Sequence, residues 1–418
     1  MVSRSKAGVS TCCSKFFSLS AQPCYREMPP MLCIEHCNAL LERERVPTRQ
    51  RKLADGSRSG FNGFLQARWH LAGTTASFTR KAWVVGALLA LSVLLCFPAH
   101  GATVPLKRLG ETALPGFSGD FDHFAVDETG KRLFLAGEDH KTLEVFDLKT
   151  GHRLKSIDGF GAPHAIFYLA DSDRIVVTDG DLGILRVLRG KDYSEEARVA
   201  GLAGADSASL EENTRTLYIV TGGKDVPLDH SFVVAVDLHT NKKLREIRIE
   251  SNHVEGLALE KSGSRMFVNL TDKHAVAVID RQSMKETERW PIGSEADNSP
   301  IAFDETHKRL LIVCRKPGTL LVMNSQDGKI VARMPAAERS DDIAFDAARG
   351  RIYVPGGDGW IFVFKQNGAD EYELLAKVES APGAKTCLLV PGISRFFVAV
   401  SPGDTKAEAK MFTYEVEP

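Results

Sequence analysis

Seven copies of one segment follow one another between residue 104 and the end of the chain. Each copy has an apolar stretch, a polar turn, an arginine followed by three or four β-favouring residues, and another apolar stretch. The repeating arginines are Arg132, Arg174, Arg215, Arg265, Arg309, Arg351 and Arg395, at spacings of 42, 41, 50, 44, 42 and 44 residues. Periods of about 40 to 50 residues are typical of propellers and solenoids. We interpret the arginines as partners within turns and between neighbouring repeats.

Each repeat predicts three or four short strands and needs no helix, because its apolar runs are short and are separated by turns rich in Asp, Gly, Ser and Lys. A single such sheet cannot bury both faces, so the repeats must stack around an axis. The sequence therefore predicts an all-β fold, a seven-bladed β-propeller with four-stranded antiparallel blades over residues 102–418. The last repeat lacks an outer strand, and residues 104–109 are expected to supply it, so that an N-terminal strand closes the last blade.

An apolar run at residues 83–97 divides the chain into parts of opposite charge. Residues 1–81 hold 13 Lys and Arg against 5 Asp and Glu, a net charge of +8, whereas residues 82–418 hold 40 against 49, a net charge of −9. Residues 1–80 lack periodicity. We expect them to be disordered or to be an upstream extension included by a misplaced start site. Residues 102–418 form the predicted propeller domain.

The apolar run is preceded by Arg80 and Lys81 and followed by a site of small residues ending at Gly101. This order is typical of a secretory signal. Residues 81–101 are therefore predicted to be a signal peptide, or else an uncleaved membrane anchor, and both place the propeller in the periplasm or outside the cell. Beyond the signal only Cys314 and Cys387 remain, which excludes a disulfide framework and predicts two separate buried thiols.

The fourth repeat, residues 267–280, reads FVNLTDKHAVAVID, with weaker counterparts at residues 217–221 and 351–354. These segments resemble the YVTN-repeat, YncE-like family of secreted seven-bladed propellers. The resemblance implies an exported propeller, and family members are mostly described as binding proteins, some of them proposed to bind DNA. The predicted propeller of this chain is acidic and has no basic stripe, which disfavours nucleic acid as a partner.

In a propeller, the turns that enter the innermost strands all open onto the central channel. These turns supply the candidate ligand-binding residues Asp122, His123, His164, Asp206, His253, Glu255, Asp297, Asn298, Asp341, Asp342 and Lys385. Six acids and three histidines against one lysine would crowd negative charge at the mouth, which raises carboxylate pKa values or attracts a cation. No motif requires a cofactor. Ca²⁺ or another divalent ion is the cofactor that oxygen ligands would accept.

Two features allow more than one interpretation of the residues at the channel mouth. Asp, Asn and His are also favoured in turns for local reasons, and alternation directs about half of such side chains away from the axis. The third repeat carries a longer loop at residues 221–230, which is either a binding loop or a tolerated insertion.

Three functions are consistent with these residues. The first is an exported, non-catalytic binding or scaffold protein that recognises a protein, peptide or small ligand at the channel mouth, since no motif for haem attachment, phosphate binding or a serine nucleophile occurs. The second is a divalent-metal-dependent lactonase or esterase, because residues 253–259 resemble the metal-binding strand entry of gluconolactonase-like propellers. Nucleic-acid binding by family analogy is third. A membrane contact is expected only through an uncleaved anchor, and the sequence does not determine the oligomeric state.

Overall fold

Each repeat forms one four-stranded antiparallel sheet, and seven sheets make a closed ring. The structure, a computed structural model, describes residues 104–403 and 407–418. The predicted all-β seven-bladed propeller is confirmed. The predictions for residues 1–80 and 81–101 lie outside the described residues and stay predictions. Within the described residues, no helix is long and apolar enough to cross a membrane.

The strands follow the repeat in order. β1 is Leu106–Leu114. Blade 1 contains β2 (Phe124–Asp127), β3 (Arg132–Gly137), β4 (Thr142–Asp147) and β5 (Arg153–Ile157). Blade 2 contains β6 (Pro163–Leu169), β7 (Arg174–Asp179), β8 (Ile184–Arg189) and β9 (Glu195–Ala200). Blade 3 contains β10 (Ala208–Glu211), β11 (Thr216–Gly222), β12 (Ser231–Asp237) and β13 (Lys242–Ile249). Blade 4 contains β14 (Val254–Leu259), β15 (Arg265–Leu270), β16 (Ala275–Asp280) and β17 (Lys285–Pro291).

The remaining blades continue the same order. Blade 5 contains β18 (Ala296–Asp304), β19 (Arg309–Lys316), β20 (Gly318–Asn324) and β21 (Ile330–Pro335). Blade 6 contains β22 (Ala344–Asp346), β23 (Arg351–Gly356), β24 (Asp358–Gln366) and β25 (Tyr372–Pro382). Blade 7 contains β26 (Thr386–Val390), β27 (Arg395–Val400) and β28 (Ala409–Val416), with β1 as its outer strand. Single-turn 3₁₀ helices occur at Gly223–Asp225, Thr271–Lys273 and Pro391–Ile393.

The ring closes in blade 7, where β1 pairs antiparallel with β28 from Leu106 opposite Val416 to Leu114 opposite Ala409. The predicted closure of the last blade by an N-terminal strand is therefore confirmed. The pairing supplies the hydrogen bonds that the edge of β28 would otherwise leave open, and closure is how propellers remove exposed sheet edges.

Seven apolar clusters hold the described blades together, and each contains side chains of two neighbouring blades. In the layer between blades 7 and 1, for example, Phe397 and Met411 pack with Leu135 and Phe146, all of them fully buried. The inner three strands of each blade are apolar because both of their faces contact a neighbouring blade. The outer strands are largely exposed, as in β5 and β13. Cys314 and Cys387 are buried free thiols, as predicted.

Several repeating arginines link one blade to the next, as interpreted from the repeat. Arg132 donates from Nε to Asp127 of its own blade at 2.8 Å, and from its guanidinium to the Gly190 carbonyl of blade 2. Arg309 similarly reaches Asp370 of blade 6 at 2.7 Å. Each arginine follows the turn after an innermost strand, so these links lie at the opposite end of the blades from the entry turns.

Candidate functional site

The seven innermost strands surround one central cavity of about 1340 Å³, and residues of every blade line it. Eight of the predicted binding residues lie on its wall, namely Asp122, His123, His164, Asp206, Glu255, Asp341, Asp342 and Lys385. The entry turns bring them together because each precedes or begins an innermost strand. His253, Asp297 and Asn298 are not among the described residues of the wall. Whether any of these residues binds a ligand stays a prediction.

Asp122, Glu138, His164 and Asp206 form a cluster in blades 1 to 3, which we call the acidic cluster. Asp122 Oδ2 accepts a hydrogen bond from His164 Nδ1 at 2.7 Å, and Asp206 Oδ1 lies 3.7 Å from the same nitrogen. One ligand atom each from Asp122, Glu138 and His164 can be chosen so that all lie within 4.8 Å of one another. Three carboxylates thus converge on a single imidazole.

Burial disfavours the charged form of every group in the acidic cluster, and the neighbouring charges decide whether this effect prevails. Burial and neighbouring negative charge raise the pKa of Asp206 to about 6 and that of Glu138 to about 7. For His164, burial favours the neutral ring, but its hydrogen bond to Asp122 and the charge of Asp206 outweigh this and raise its pKa to about 10. Burial would likewise raise the pKa of Asp122, but His123 and His164 hold it well below its usual range. Asp206 and Glu138 therefore hold their protons to a higher pH than ordinary carboxyl groups, because burial outweighs the positive charges near them.

Arg315, Asp341 and Lys385 form a second cluster in blades 5 to 7, which we call the paired cluster. Asp341 accepts hydrogen bonds from the Arg315 guanidinium and from Lys385 Nζ, the latter at 2.7 Å. Lys385 Nζ also reaches Asp120 at 2.9 Å. Burial raises the pKa of Asp341, opposed by these two cations. Here the buried carboxylate has permanent positive partners on both sides.

Glu255 is held by a third set of contacts. Its Oε1 lies 2.5 Å from His253 Nε2, 3.7 Å from Lys224 Nζ and 3.9 Å from an Arg315 nitrogen. Burial alone would raise its pKa, but the bond to His253 and the charges of Arg315 and Lys224 lower it to about 2. His253 and Glu255, whose segment resembles a metal-binding strand entry, are thus bonded to each other and charge-compensated.

Asp342 and His123 connect the acidic cluster to blade 7. His123 Nδ1 bonds Asp342 Oδ1 at 2.8 Å, and the Cys387 backbone N–H donates to Asp342 Oδ2 at 2.8 Å. Burial favours neutral His123, but the charges of Asp122 and Asp342 raise its pKa well above the usual value. His123 is therefore a charged bridge between carboxylates of two blades.

Asn298 and Asp297 have different surroundings from the cavity residues. The fully buried Asn298 amide donates to Asn269 Oδ1 at 3.0 Å and to the Ala275 carbonyl at 3.1 Å, which fixes blade 5 against blade 4. Asp297 pairs with the exposed Lys316 at 2.9 Å. The strand pairing shifts register between Asn298 and Ile301, so simple alternation along β18 does not give the direction of these side chains.

Sequence reasoning missed wall residues that follow the second strand of a blade. Glu138 follows β3, Lys224 follows β11 and Arg315 stands near the end of β19. Because the first two strands of a blade are antiparallel, the exit of the second lies beside the entry of the first. The repeat register could have identified this second ring of turns. Lys224 belongs to the longer loop of the third repeat, so that insertion reaches the cavity.

The wall is less one-sided in charge than the entry turns suggest. Its described residues include ten Asp and Glu but also five Lys and Arg, where the sequence indicated one lysine. Two of the added cations, Lys224 and Arg315, come from the second ring of turns, whereas Arg339 precedes β22 and Lys410 lies in β28. The cavity stays acidic on balance, and this disfavours a polyanionic ligand.

Comparison with known proteins agrees with this architecture. No family model matches the chain. Over 130 residues it is 27% identical to Uncharacterized protein YncE of Escherichia coli O157:H7, an alignment covering 31% of this chain and 35% of that protein. The match spans about a third of the relative. Together with the seven-bladed ring, it fits a YncE-like propeller.

A solved structure carries the same fold as this YncE-like propeller. A chain of Kuenenia stuttgartiensis Hydrazine Synthase superimposes with a TM-score of 0.59 at 14% identity, covering 69% of this chain and 94% of that one. At this identity the likeness concerns the fold alone. Propellers carry unrelated activities, so the function must be argued from the cavity.

Proposed function

We propose that the chain is an exported, non-catalytic binding protein that takes a small ligand, or a side chain of a peptide or protein, into its central cavity. The observation that carries the proposal is the convergence of entry turns from all seven blades on one cavity of about 1340 Å³. A concave site with a few convergent, buried polar groups is the usual form of a ligand site. The acidic balance of its wall favours a ligand with a positively charged group.

The paired cluster and the contacts of Glu255 support binding rather than catalysis. Asp341 and Glu255 are buried and already ion-paired. Ser299 Oγ donates to Glu255 Oε2 at 3.3 Å and so belongs to the same network of contacts. Both described cysteines are buried, with pKa values that burial raises. Fixed charges of this kind orient a polar ligand without transferring protons to it.

A thermal-shift titration of the full-length protein tests this proposal. The probes are arginine, spermidine and a trilysine peptide, with citrate as the anionic comparison. We expect a cationic probe to raise the melting temperature and citrate to leave it unchanged. Asp206→Asn should weaken the shift, whereas Asp327→Asn, which changes an exposed turn away from the cavity, should retain it. Equal responses to cations and citrate, or equal shifts in the two variants, would contradict the proposal.

A divalent-metal-dependent lactonase or esterase is the second candidate, favoured by the proximity of Asp122, Glu138 and His164. A metal ion could polarise a carbonyl there, with Asp206 beside it to move a proton. Gluconolactone and p-nitrophenyl acetate are suitable substrates. Metal-dependent turnover that Glu138→Gln abolishes would replace the binding proposal with this one. Nucleic-acid binding remains third, and an affinity that falls steeply with salt would be its signature.

A further inference from the structure

Glu138 differs from the other described carboxylates of the cavity wall that are not exposed. Within residues 104–403 and 407–418, its carboxylate forms no hydrogen bond and no ion pair, although it is largely buried. Asp122 and Asp139 add to the effect of burial and raise its pKa, and the charges of His164 and Lys385 only partly oppose them. A buried carboxylate without a partner is costly, and the usual compensations are a proton or a bound cation.

The cluster is also arranged for coordination. An ion held by nitrogen and oxygen at about 2.0 to 2.2 Å keeps neighbouring ligand atoms about 3 Å apart. The 2.7 Å separation of Asp122 Oδ2 and His164 Nδ1 is close to this, and Glu138 lies within the 4.8 Å span of the same group. Binding of an ion through His164 Nδ1 would displace the proton that now lies in the hydrogen bond to Asp122. Asp206, at 3.7 Å from His164, is positioned to become a fourth ligand.

Gly180 keeps one side of the imidazole open. A Cβ at this position would lie 3.0 Å from His164 Nε2 and 3.2 Å from the Ala205 carbonyl oxygen. The φ of Gly180 is not in the left-handed region, so the backbone itself does not require glycine there. A side chain at position 180 would fill the space beside the His164 imidazole ring.

Charge favours a divalent ion. Asp122, Glu138 and Asp206 carry three negative charges when ionised, and His164 is neutral when it binds a metal. The positive charge of His123, whose Nε2 lies 3.4 Å from Asp122 Oδ1, leaves a net charge of −2. The paired cluster has no such deficit, because Arg315 and Lys385 both contact Asp341.

We propose that Asp122, Glu138 and His164 bind a divalent first-row transition-metal ion in the central cavity. An imidazole combined with carboxylates suits Mn²⁺, Fe²⁺ or Zn²⁺, whereas Ca²⁺ takes oxygen ligands. This corrects the ligand set expected from the entry turns alone, since Glu138 comes from the turn after β3. The site does not depend on the binding function, because it is complete without an organic ligand.

Mn²⁺ titration of the full-length protein, followed by electron paramagnetic resonance, tests the site. Mn²⁺ is the probe because it prefers oxygen and nitrogen over thiolate ligands, so cysteines elsewhere in the chain interfere little. We expect one bound equivalent with nitrogen hyperfine modulation from His164. Glu138→Gln should weaken binding more than about tenfold, and His164→Gln should remove the nitrogen signal.

The matched controls are Glu128→Gln and His239→Gln, which change exposed residues of the same types. Both should bind Mn²⁺ like the parent protein. Circular dichroism of each variant shows whether it has folded, and the nitrogen signal of the parent protein is a test that needs no variant. Binding that is unaffected by Glu138→Gln, or no bound equivalent at all, would overturn the proposal. Displacement of Mn²⁺ by an equal concentration of Ca²⁺ would overturn the assigned metal class. A bound ion without any response to the cationic probes would leave the metal site standing and remove only the proposed binding function.

Discussion

The acidic cluster and the paired cluster face the same cavity and compensate buried charge in different ways. In the paired cluster, Arg315 and Lys385 contact Asp341, so its neutralisation is permanent at any ordinary pH. In the acidic cluster the positive groups are imidazoles, and Glu138 has no partner among the described residues. The first arrangement fixes the wall of the cavity, whereas the second leaves a place for an added cation. Blades with the same fold thus supply a rigid side and a receptive side.

The largest expected effect comes from removing both cations of the paired cluster. Arg315→Met combined with Lys385→Met leaves Asp341 buried without a positive partner, and breaking a buried ion pair on one side costs about 3 to 5 kcal/mol. Urea unfolding at pH 7 measures the loss. Adding Asp341→Asn removes the unpaired charge and should recover most of the stability. A double variant as stable as the parent protein would show that the cluster contributes little.

Acid should weaken the Glu255 contacts next. The pKa of Glu255 is about 2 in the folded protein and lies below its ordinary value, so its ion pairs stabilise the fold above the ordinary pKa. That contribution is on the order of 3 kcal/mol, because each unit of pKa shift corresponds to about 1.4 kcal/mol. It is lost as the pH falls from about 4.5 towards 2.

Unfolding free energies of the parent protein and Glu255→Gln across this range check the sign. The difference between the two should be largest above pH 5 and should shrink towards pH 2. Exposed Glu373→Gln is the control and should show a smaller pH dependence. A difference that grows on acidification would contradict the assigned direction.

The smallest expected effect concerns the acidic cluster without metal. Glu138→Gln, measured at pH 8 with a chelator, should leave the unfolding free energy unchanged or raise it by about 1 kcal/mol, because it removes an unpartnered buried charge. Asp342→Asn is the matched comparison. It weakens bonds to His123 and to the Cys387 backbone and should lower stability by about 1 to 2 kcal/mol. Equal losses in the two variants would show that Glu138 is held by its surroundings as firmly as Asp342.

The sequence predicted the fold more completely than the site, because the fold depends on patterns within each repeat. Each repeat contains its own strand and turn pattern. Seven repeats of this length can bury both faces of every sheet by stacking into a closed ring. The entry turns follow from that register, so Asp122, His164 and Asp341 could be placed at the cavity in advance.

Side-chain direction could not be placed in the same way. The pairing shifts register in β6 between Pro163 and Ile166, in β14 between Val254 and Leu257, and in β18 after Asn298. Such bulges break the two-residue alternation from which direction is inferred. Asn298 and Val254 both stand immediately before such a shift and are buried between blades, whereas the next residues, Ser299 and Glu255, line the cavity.

The sequence by itself determined the seven blades, the closing strand and the end of the channel where charge gathers, because each depends on patterns inside a repeat or on the number of repeats. The tertiary structure alone decided which charges are compensated. Lys385 meets Asp120 across 265 positions of sequence, and Asp122 meets His164 across 42. Partners so distant in the chain come together through ring closure and blade stacking, and their pairing leaves Glu138 available for a cation.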